Sequence, residues 1–129
     1  MSTRSLTVFT DYTFGEPYEV VVMYRHCDGY PEVHGKELVE FLLPFGIAHC
    51  KKDGCFNGVG ELAAAVVAHF RKNEVSLFPS GTRNISEYYT YEVDVIDHCI
   101  IIKIYGIDGL IYGGTPKEVY NFLCLKHTQ

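Results

Sequence analysis

The chain has 129 residues, 47% hydrophobic and 21% charged, with a formal net charge of -5. That length and balance fit one globular domain with its own core and exclude a disordered chain. An acidic chain without a long basic run lacks the cationic footprint of a duplex nucleic-acid binder, and no apolar run is long enough to span a bilayer.

The N-terminus, Met1-Ser2-Thr3-Arg4, has no apolar core of signal-peptide length, so a cytoplasmic location is expected. The five Cys are an odd number, and reduced thiols fit that compartment. The chain lacks Trp but carries 10 Tyr and 8 Phe. Tyr combines a large apolar body with a polar tip and suits half-buried surfaces and binding sites.

Residues Ser5 to Phe9 read as a short strand, and Glu19 to Tyr24, rich in β-branched residues, as a second. Gly15 and Pro17 between them suggest a hairpin. Val20, Val21 and Val22 do not alternate with polar residues, which predicts a strand buried on both faces. Asp28-Gly29-Tyr30-Pro31 breaks this strand, with Pro31 holding Tyr30 out of the helical region. Leu38, Phe41, Leu42 and Phe45 then give a helix from about His34 to Leu43 one apolar face.

His49 to Asn57 reads as a polar loop, with Asn57 as a candidate cap for the next helix. That helix covers about Val59 to Lys72, with an apolar stripe of Val59, Leu62, Ala63, Val66, Val67 and Phe70. Val75 to Phe78 is a strand stopped by Pro79, and Pro79 to Asn84 is turn-forming. Tyr89 to Ile96 alternates, with Thr90, Glu92 and Asp94 on the wet face. Asp97-His98 is a two-residue hairpin turn into Cys99 to Tyr105. Asp108-Gly109 turns the chain into a third strand, Leu110 to Tyr112. Thr115, Pro116 and Glu118 form a capping box that opens the last helix. Cys99 and Cys124 read as small core residues.

Clustered strands and clustered helices, without strand–helix alternation, predict an α+β fold. Its elements are an N-terminal hairpin, two helices, an antiparallel meander and a C-terminal helix. The sheet is largely antiparallel with helices on one face, in a single domain spanning 1–129 with an ordered core over about 5–125.

The stretch Tyr24-Arg25-His26-Cys27-Asp28-Gly29-Tyr30-Pro31, with His34 beyond it, concentrates polar side chains at a strand-to-helix junction. Arg25 could clamp an anion, and His26, oriented by Asp28, could donate a hydrogen bond or act as a base. Turn chemistry offers a simpler account, in which Asp28 caps the turn, Arg25 pairs with Asp28 or Glu32, and Tyr30 packs on the helix. Ser80-Gly81-Thr82-Arg83 could form an anion nest, and Asn57-Gly58-Val59-Gly60 at a helix start is a third anion-friendly element. Neither is a Walker loop or a dinucleotide fingerprint, so no cofactor is implied. For metal binding, His26, Asp28, His34, His49, Cys50, Cys55 and His69 offer donor atoms, but two paired-Cys motifs are not present and no metal is assigned. His69 reads as a boundary residue. Tyr88, Tyr89 and Tyr91 could stack a base, or pack across strands.

Three segments carry a family resemblance: Tyr24 to Pro31; Phe56-Asn57-Gly58-Val59-Gly60 followed by Leu62-Ala63-Ala64; and Pro79-Ser80-Gly81-Thr82-Arg83. With Tyr89 to Tyr91 and Tyr112-Gly113-Gly114 they span about Tyr18 to Phe122. In these the chain resembles a family of uncharacterised small proteins found in bacteriophages and in bacterial genomes with phage-derived regions. It departs from the family pattern at Glu32-Val33-His34, which delays a Gly to Gly35, and at Ser80, where the family has a second Pro. The resemblance implies a phage or mobile-element setting inside a host cell, and no activity.

The leading expectation is a non-enzymatic binding protein. It would sequester a nucleotide or other anionic small ligand, to counter host defence, with Tyr24, Arg25, His26, Asp28, Tyr30, His34, Asn57, Thr82 and Arg83 as candidate ligand contacts. One alternative is a protein-interaction domain that inhibits or adapts a host protein. Another is a small metal-assisted phosphodiesterase or hydrolase using His26, Asp28 and His34. An exposed strand edge would also allow a homodimer.

Overall fold

The computed structural model describes residues 2–13, 15–45, 56 and 58–127. His49, Cys50, Cys55 and Asn57 lie outside the described residues. Six strands form one sheet: β1 (Ser5–Asp11), β2 (Tyr18–Arg25), β3 (Val75–Phe78), β4 (Tyr89–Ile96), β5 (Cys99–Gly106) and β6 (Gly109–Gly114), in the order β3-β2-β1-β4-β5-β6. With helices α1 (Lys36–Leu42), α2 (Val59–Phe70) and α3 (Pro116–His127), this is the expected α+β fold. Among the described residues no helix is long and apolar enough to cross a membrane.

Neighbouring strands are antiparallel except at the centre, where β1 and β4 run parallel. This is the largely antiparallel sheet that the absence of strand–helix alternation implies, with one parallel pair inside it. The parallel pair arises because the chain leaves edge strand β3 and must cross β2 and β1 before it can lie down as β4. That crossing uses an irregular segment, residues 79–88, instead of a helix.

The sheet therefore has two differently covered faces. On one, Phe9, Met23, Tyr91, Val93, Val95, Ile100, Ile102 and Ile104 pack against Leu38, Val39 and Leu42 of α1, Leu62, Val66 and Phe70 of α2, and Val119 and Leu123 of α3. On the other, Leu6, Val8 and Val22 pack under Tyr24, Phe78 and Ile85, the last from the crossing segment. The central strands are thus buried on both sides, and a bulge that leaves Val20 without a partner in β1 sets Val20 and Val21 together on the helix face and Val22 on the other, so the valines of β2 show no alternation.

Local chemistry accounts for most element ends. The α2 stripe is buried at Val59, Leu62, Ala63, Val66 and Phe70, the spacing of one helical face. Thr115 and Glu118 form the expected capping box: Glu118 accepts from the Thr115 N–H at 3.0 Å, and the Thr115 hydroxyl accepts from the Glu118 N–H at 3.3 Å. Asp97 (φ 50°) and His98 (φ 65°) both take positive φ, the geometry whose twist matches a two-residue hairpin.

Four expectations need correction. The first helix begins as a wide π-helical turn over Pro31–Gly35 and becomes α-helical only at Lys36. The N-cap of α2 is Gly58, at φ 99°. Asp94, expected on the wet face, is completely covered, with Tyr12 and Lys103 near its carboxylate. Cys99 is exposed at the start of β5 and not in the core.

Candidate functional site

The motif from Tyr24 to Pro31 is spread over both faces of the sheet. Arg25 ends β2 on the helix face, only 5% exposed. Its Nε donates to the Cys27 carbonyl at 2.7 Å, its Nη1 donates to His34 Nδ1 at 3.2 Å, and Glu37 Oε1 lies 3.9 Å away. The guanidinium also lies over the Phe70 ring. Arg25 therefore pairs with neither Asp28 nor Glu32; its counter-charge comes from α1.

His34 is fully buried between the rings of Phe70 and Tyr91, each centred 4.7 Å away. An Arg can only donate, so His34 Nδ1 must accept, and the ring proton sits on Nε2, 2.8 Å from the Thr7 hydroxyl. Burial, aided by the Arg25 charge, lowers its pKa from 6.5 to about 3. His34 is a neutral imidazole with its lone pair already engaged, so it has no basic site to offer a substrate.

The turn itself is locked just as tightly. Asp28, exposed, takes the positive φ (58°). Gly29 is required for a different reason: a Cβ there would stand 2.6 Å from Ser5 Cβ and 2.8 Å from the Thr3 carbonyl oxygen. Its N–H donates to that carbonyl, and its own carbonyl accepts from the Tyr91 hydroxyl at 2.6 Å. Tyr30 keeps an extended ψ of 158° before Pro31, and its carbonyl accepts the first N–H groups of the turn, from Val33 and His34. The helix-face half of the motif joins the end of β2 to α1 and the sheet, which is a structural task.

Tyr24 and His26 stand on the other face. The Tyr24 hydroxyl meets His26 Nδ1 at 2.9 Å, and the Tyr24 ring packs edge-on against Phe78. The sheet thus separates His26 from His34. Among the described residues no three of His, Cys, Asp and Glu are grouped to hold a metal ion.

Arg83 is remote from all of these. Its Nη2 meets Glu19 Oε1 at 2.8 Å and its Nη1 meets Oε2 at 3.2 Å. The Gly81 N–H donates to the same carboxylate, and Thr82 turns its hydroxyl back to the Pro79 carbonyl. At the turn where the sequence suggested an anion nest, one backbone N–H, that of Gly81, and the Arg83 guanidinium hold Glu19 of the same chain, while the Thr82 N–H donates to the Pro79 carbonyl. Reciprocal pairing lowers the Glu19 pKa and raises that of Arg83. Glu19 and Arg25 are six residues apart on β2, about 20 Å along the strand, and their side chains take opposite faces. Arg25 and Arg83 share no pocket.

Two concavities remain. A shallow one of about 650 Å³ lies over α1 and α2, where Glu37 links Arg25 to His69 and Lys72. His69 Nε2 is 3.1 Å from Glu37 Oε2 without the alignment of a hydrogen bond, and Lys72 Nζ is 3.5 Å from the same atom. Glu37 is the hub that sequence reasoning missed. Its only signal was its place on α1, one turn from the apolar stripe. The second concavity, of about 530 Å³, lies at the end of the sheet. Tyr88, Tyr89, Ile107, Leu110 and Ile111 line it, with Gly106 between Tyr89 and Ile111 and polar groups from Ser2, Thr3 and Asp108.

No family model, curated protein or solved structure matches this chain.

The end cavity has the size and mixed lining of a small-molecule site. Arg4 lies beside it, its guanidinium 5.1 Å over the Tyr88 ring and its Nε donating to the Ser86 carbonyl at 2.8 Å. No ion pair among the described residues involves Arg4. Tyr91, in contrast, is buried under His34 and cannot stack a ligand. A second sequence signal was present but unread: the Asp108-Gly109 turn is flanked by Ile107, Leu110 and Ile111, with Ile107 81% exposed. A cluster of branched aliphatics at a solvent-facing turn is the kind of exposed apolar patch that marks an interaction site.

Proposed function

We propose that this chain is a non-enzymatic binding module that holds a small ligand with a flat ring, of the nucleoside or nucleotide class, in the cavity at the end of the sheet. The observation that carries the reading is the cavity lining, two Tyr rings and three branched aliphatics with polar groups from Ser2, Thr3 and Asp108, beside an Arg that pairs with no carboxylate among the described residues. A base stacks on Tyr88 or Tyr89, Asp108 accepts from its exocyclic amine, and Arg4 meets a phosphate. In the phage or mobile-element setting that the resemblance implies, sequestering a nucleotide signal inside the host cell would blunt a nucleotide-based defence. A hydrolase centred on His26, Asp28 and His34 has no geometric support, because the sheet divides them and His34 is committed to Arg25.

Isothermal titration against a panel of nucleosides, nucleotides and cyclic nucleotides tests this. Heat with at least one member, lost in Tyr88→Ala and reduced in Arg4→Ala, is expected. No heat with any member refutes it, as does binding that survives Tyr88→Ala but not Arg25→Ala.

One observation favours a protein partner as the second reading. Ile107 and Leu110 are 81% and 59% exposed, and a partner's side chain would bury them. Capture from bacterial lysate separates the readings. A stoichiometric partner bound by the wild-type chain and lost in Ile107→Asp, with no heat from the nucleotide panel, selects the protein partner.

A further inference from the structure

The segment Ser2–Arg4, just ahead of β1, contributes to the end cavity along its whole length. Ser2 and Thr3 line the cavity, and Arg4 stands beside it with its guanidinium over the Tyr88 ring. Side chains form a defined wall only when the backbone that carries them is held. Here it is held on both sides. The Gly29 N–H donates to the Thr3 carbonyl at 2.8 Å, and the Tyr88 N–H donates to the Arg4 carbonyl at 2.9 Å. The sheet thus continues a step ahead of β1, with the Cys27–Gly29 turn on one flank and Tyr88 on the other. The Ser2 hydroxyl, 3.5 Å from Cys27 Sγ, adds a third contact to the same turn.

The turn is itself anchored in the core. The Cys27 carbonyl accepts from Arg25 Nε at 2.7 Å, and the Gly29 carbonyl accepts from the buried Tyr91 hydroxyl at 2.6 Å. Turn and segment fit too closely for any side chain at position 29, where a Cβ would stand 2.8 Å from the Thr3 carbonyl oxygen. The φ of Gly29 lies outside the left-handed region, so this approach, with that of Ser5, is what requires a glycine. Neither Cys27 nor Gly29 lines the cavity. We propose that Cys27 and Gly29 are positioning residues of the end cavity, which hold Ser2–Arg4 in place as its wall. The Tyr24–Pro31 motif then acts on a ligand through that segment and not by contact. The effect on affinity rests on the reading of the cavity as a nucleotide site; the coupling from Gly29 across the segment to Tyr88 does not. A turn that merely joined β2 to α1 would have no effect at Tyr88, on the far flank.

Gly29→Ala, followed by amide hydrogen exchange, tests this. The added methyl must displace the Thr3 carbonyl and with it the segment. The Tyr88 amide is expected to exchange about tenfold faster than in the wild type, with the amides of the β4–β5 ladder unchanged. Should this variant fold poorly, combining it with Ser5→Gly removes the two Ser5 contacts, both at 2.6 Å, and leaves the push on Thr3; Ser5→Gly alone is then the reference. In titration, the nucleotide that binds the wild type is expected to lose roughly tenfold in affinity for Gly29→Ala, although no cavity residue has changed. A Tyr88 amide that exchanges as in the wild type overturns the proposal. Equal acceleration throughout the β4–β5 ladder overturns it too, since Gly29 would then serve fold stability alone, as does unchanged nucleotide affinity once the Tyr88 amide is released. If no nucleotide binds the wild type, the reading of the cavity falls, and faster exchange confined to Tyr88 still supports the coupling.

Discussion

Asp94→Asn is expected to shift the stability of the fold toward higher pH, and the size of the effect follows from the burial of one carboxylate. Asp94 is fully covered, both its oxygens lack a hydrogen bond, and the nearest cation is Lys103 Nζ at 3.4 Å. Burial is the main cause that raises its pKa from 3.8 to about 6, with the Glu92 charge adding to it and Lys103 opposing both. The folded chain therefore holds this proton more tightly than the unfolded chain does. Stability from Asp94 is fully present below about pH 4 and is lost as pH rises through about 6. At about 1.4 kcal/mol per pH unit, the loss totals about 3 kcal/mol.

Asparagine removes the titration and leaves a buried amide with unmet donors, a pH-independent penalty of about 1–3 kcal/mol. The net effect at neutral pH is thus small, but the stability difference between variant and wild type should move by about 2 kcal/mol in favour of the variant between about pH 4 and about pH 7.5. With no Trp in the chain, urea unfolding followed by circular dichroism at each pH is the suitable assay. Parallel pH profiles for the two proteins would show that Asp94 titrates as an ordinary exposed carboxylate, and the reasoning from its burial would fall.

His34→Gln should tilt the profile the other way. The folded chain keeps His34 neutral down to about pH 3, so its contribution is complete above about pH 6.5 and is lost as pH falls, by about 1.4 kcal/mol per pH unit. The Gln variant is destabilised most at neutral pH, and the same unfolding series should show its deficit shrinking toward acid; a deficit independent of pH contradicts the buried neutral imidazole. For Glu19 and Arg83, half-exposed and paired through two oxygens, a double-mutant cycle with Glu19→Gln and Arg83→Gln should give a coupling of about 1 kcal/mol, measured in low salt and reduced in high salt. A coupling indistinguishable from zero in low salt would mean that the turn is not held by the Glu19 carboxylate.

Periodicity made the helices and most strands legible, because a stripe such as Val59, Leu62, Ala63, Val66 and Phe70 has one buried solution. The capping box at Thr115 and the turn at Asp97-His98 were legible for the same reason: each is a local pattern with a local cause. The parallel β1–β4 pair was not, since it depends on a crossing of residues 79–88 over two strands, a choice of tertiary path without a local signature. Asp94 misled in the same way. Alternation along β4 assigns it correctly to the second face, but whether that face is wet depends on Tyr12, just past β1, and Lys103 of β5. Gly29 is legible as part of a turn, but the constraint that requires a glycine there, the approach of Ser5, comes from strand β1 and has no local signature.

The candidate site shows a more general asymmetry. The chain has 16 acidic against 11 basic side chains, so a cation folded into its interior or its crevices meets a carboxylate before it meets a ligand. Arg25 finds Glu37 and Arg83 finds Glu19, although each lies far from its partner in sequence and each had the local signature of an anion clamp. A spacing motif describes what a loop can bind; the surplus of competing acids decides what it does bind. Arg4 escapes because it stands beside the crossing segment at the sheet end, where its neighbours are the Ser86 carbonyl and the Tyr88 ring. An Arg held by an aromatic face and a carbonyl keeps its charge uncompensated by a carboxylate, which is what the proposed reading asks of it. The same end of the sheet gathers the exposed Ile107 and Leu110. On the proposed reading, the residues that folding leaves without a partner, and not those most crowded with polar neighbours, mark the place to test for binding.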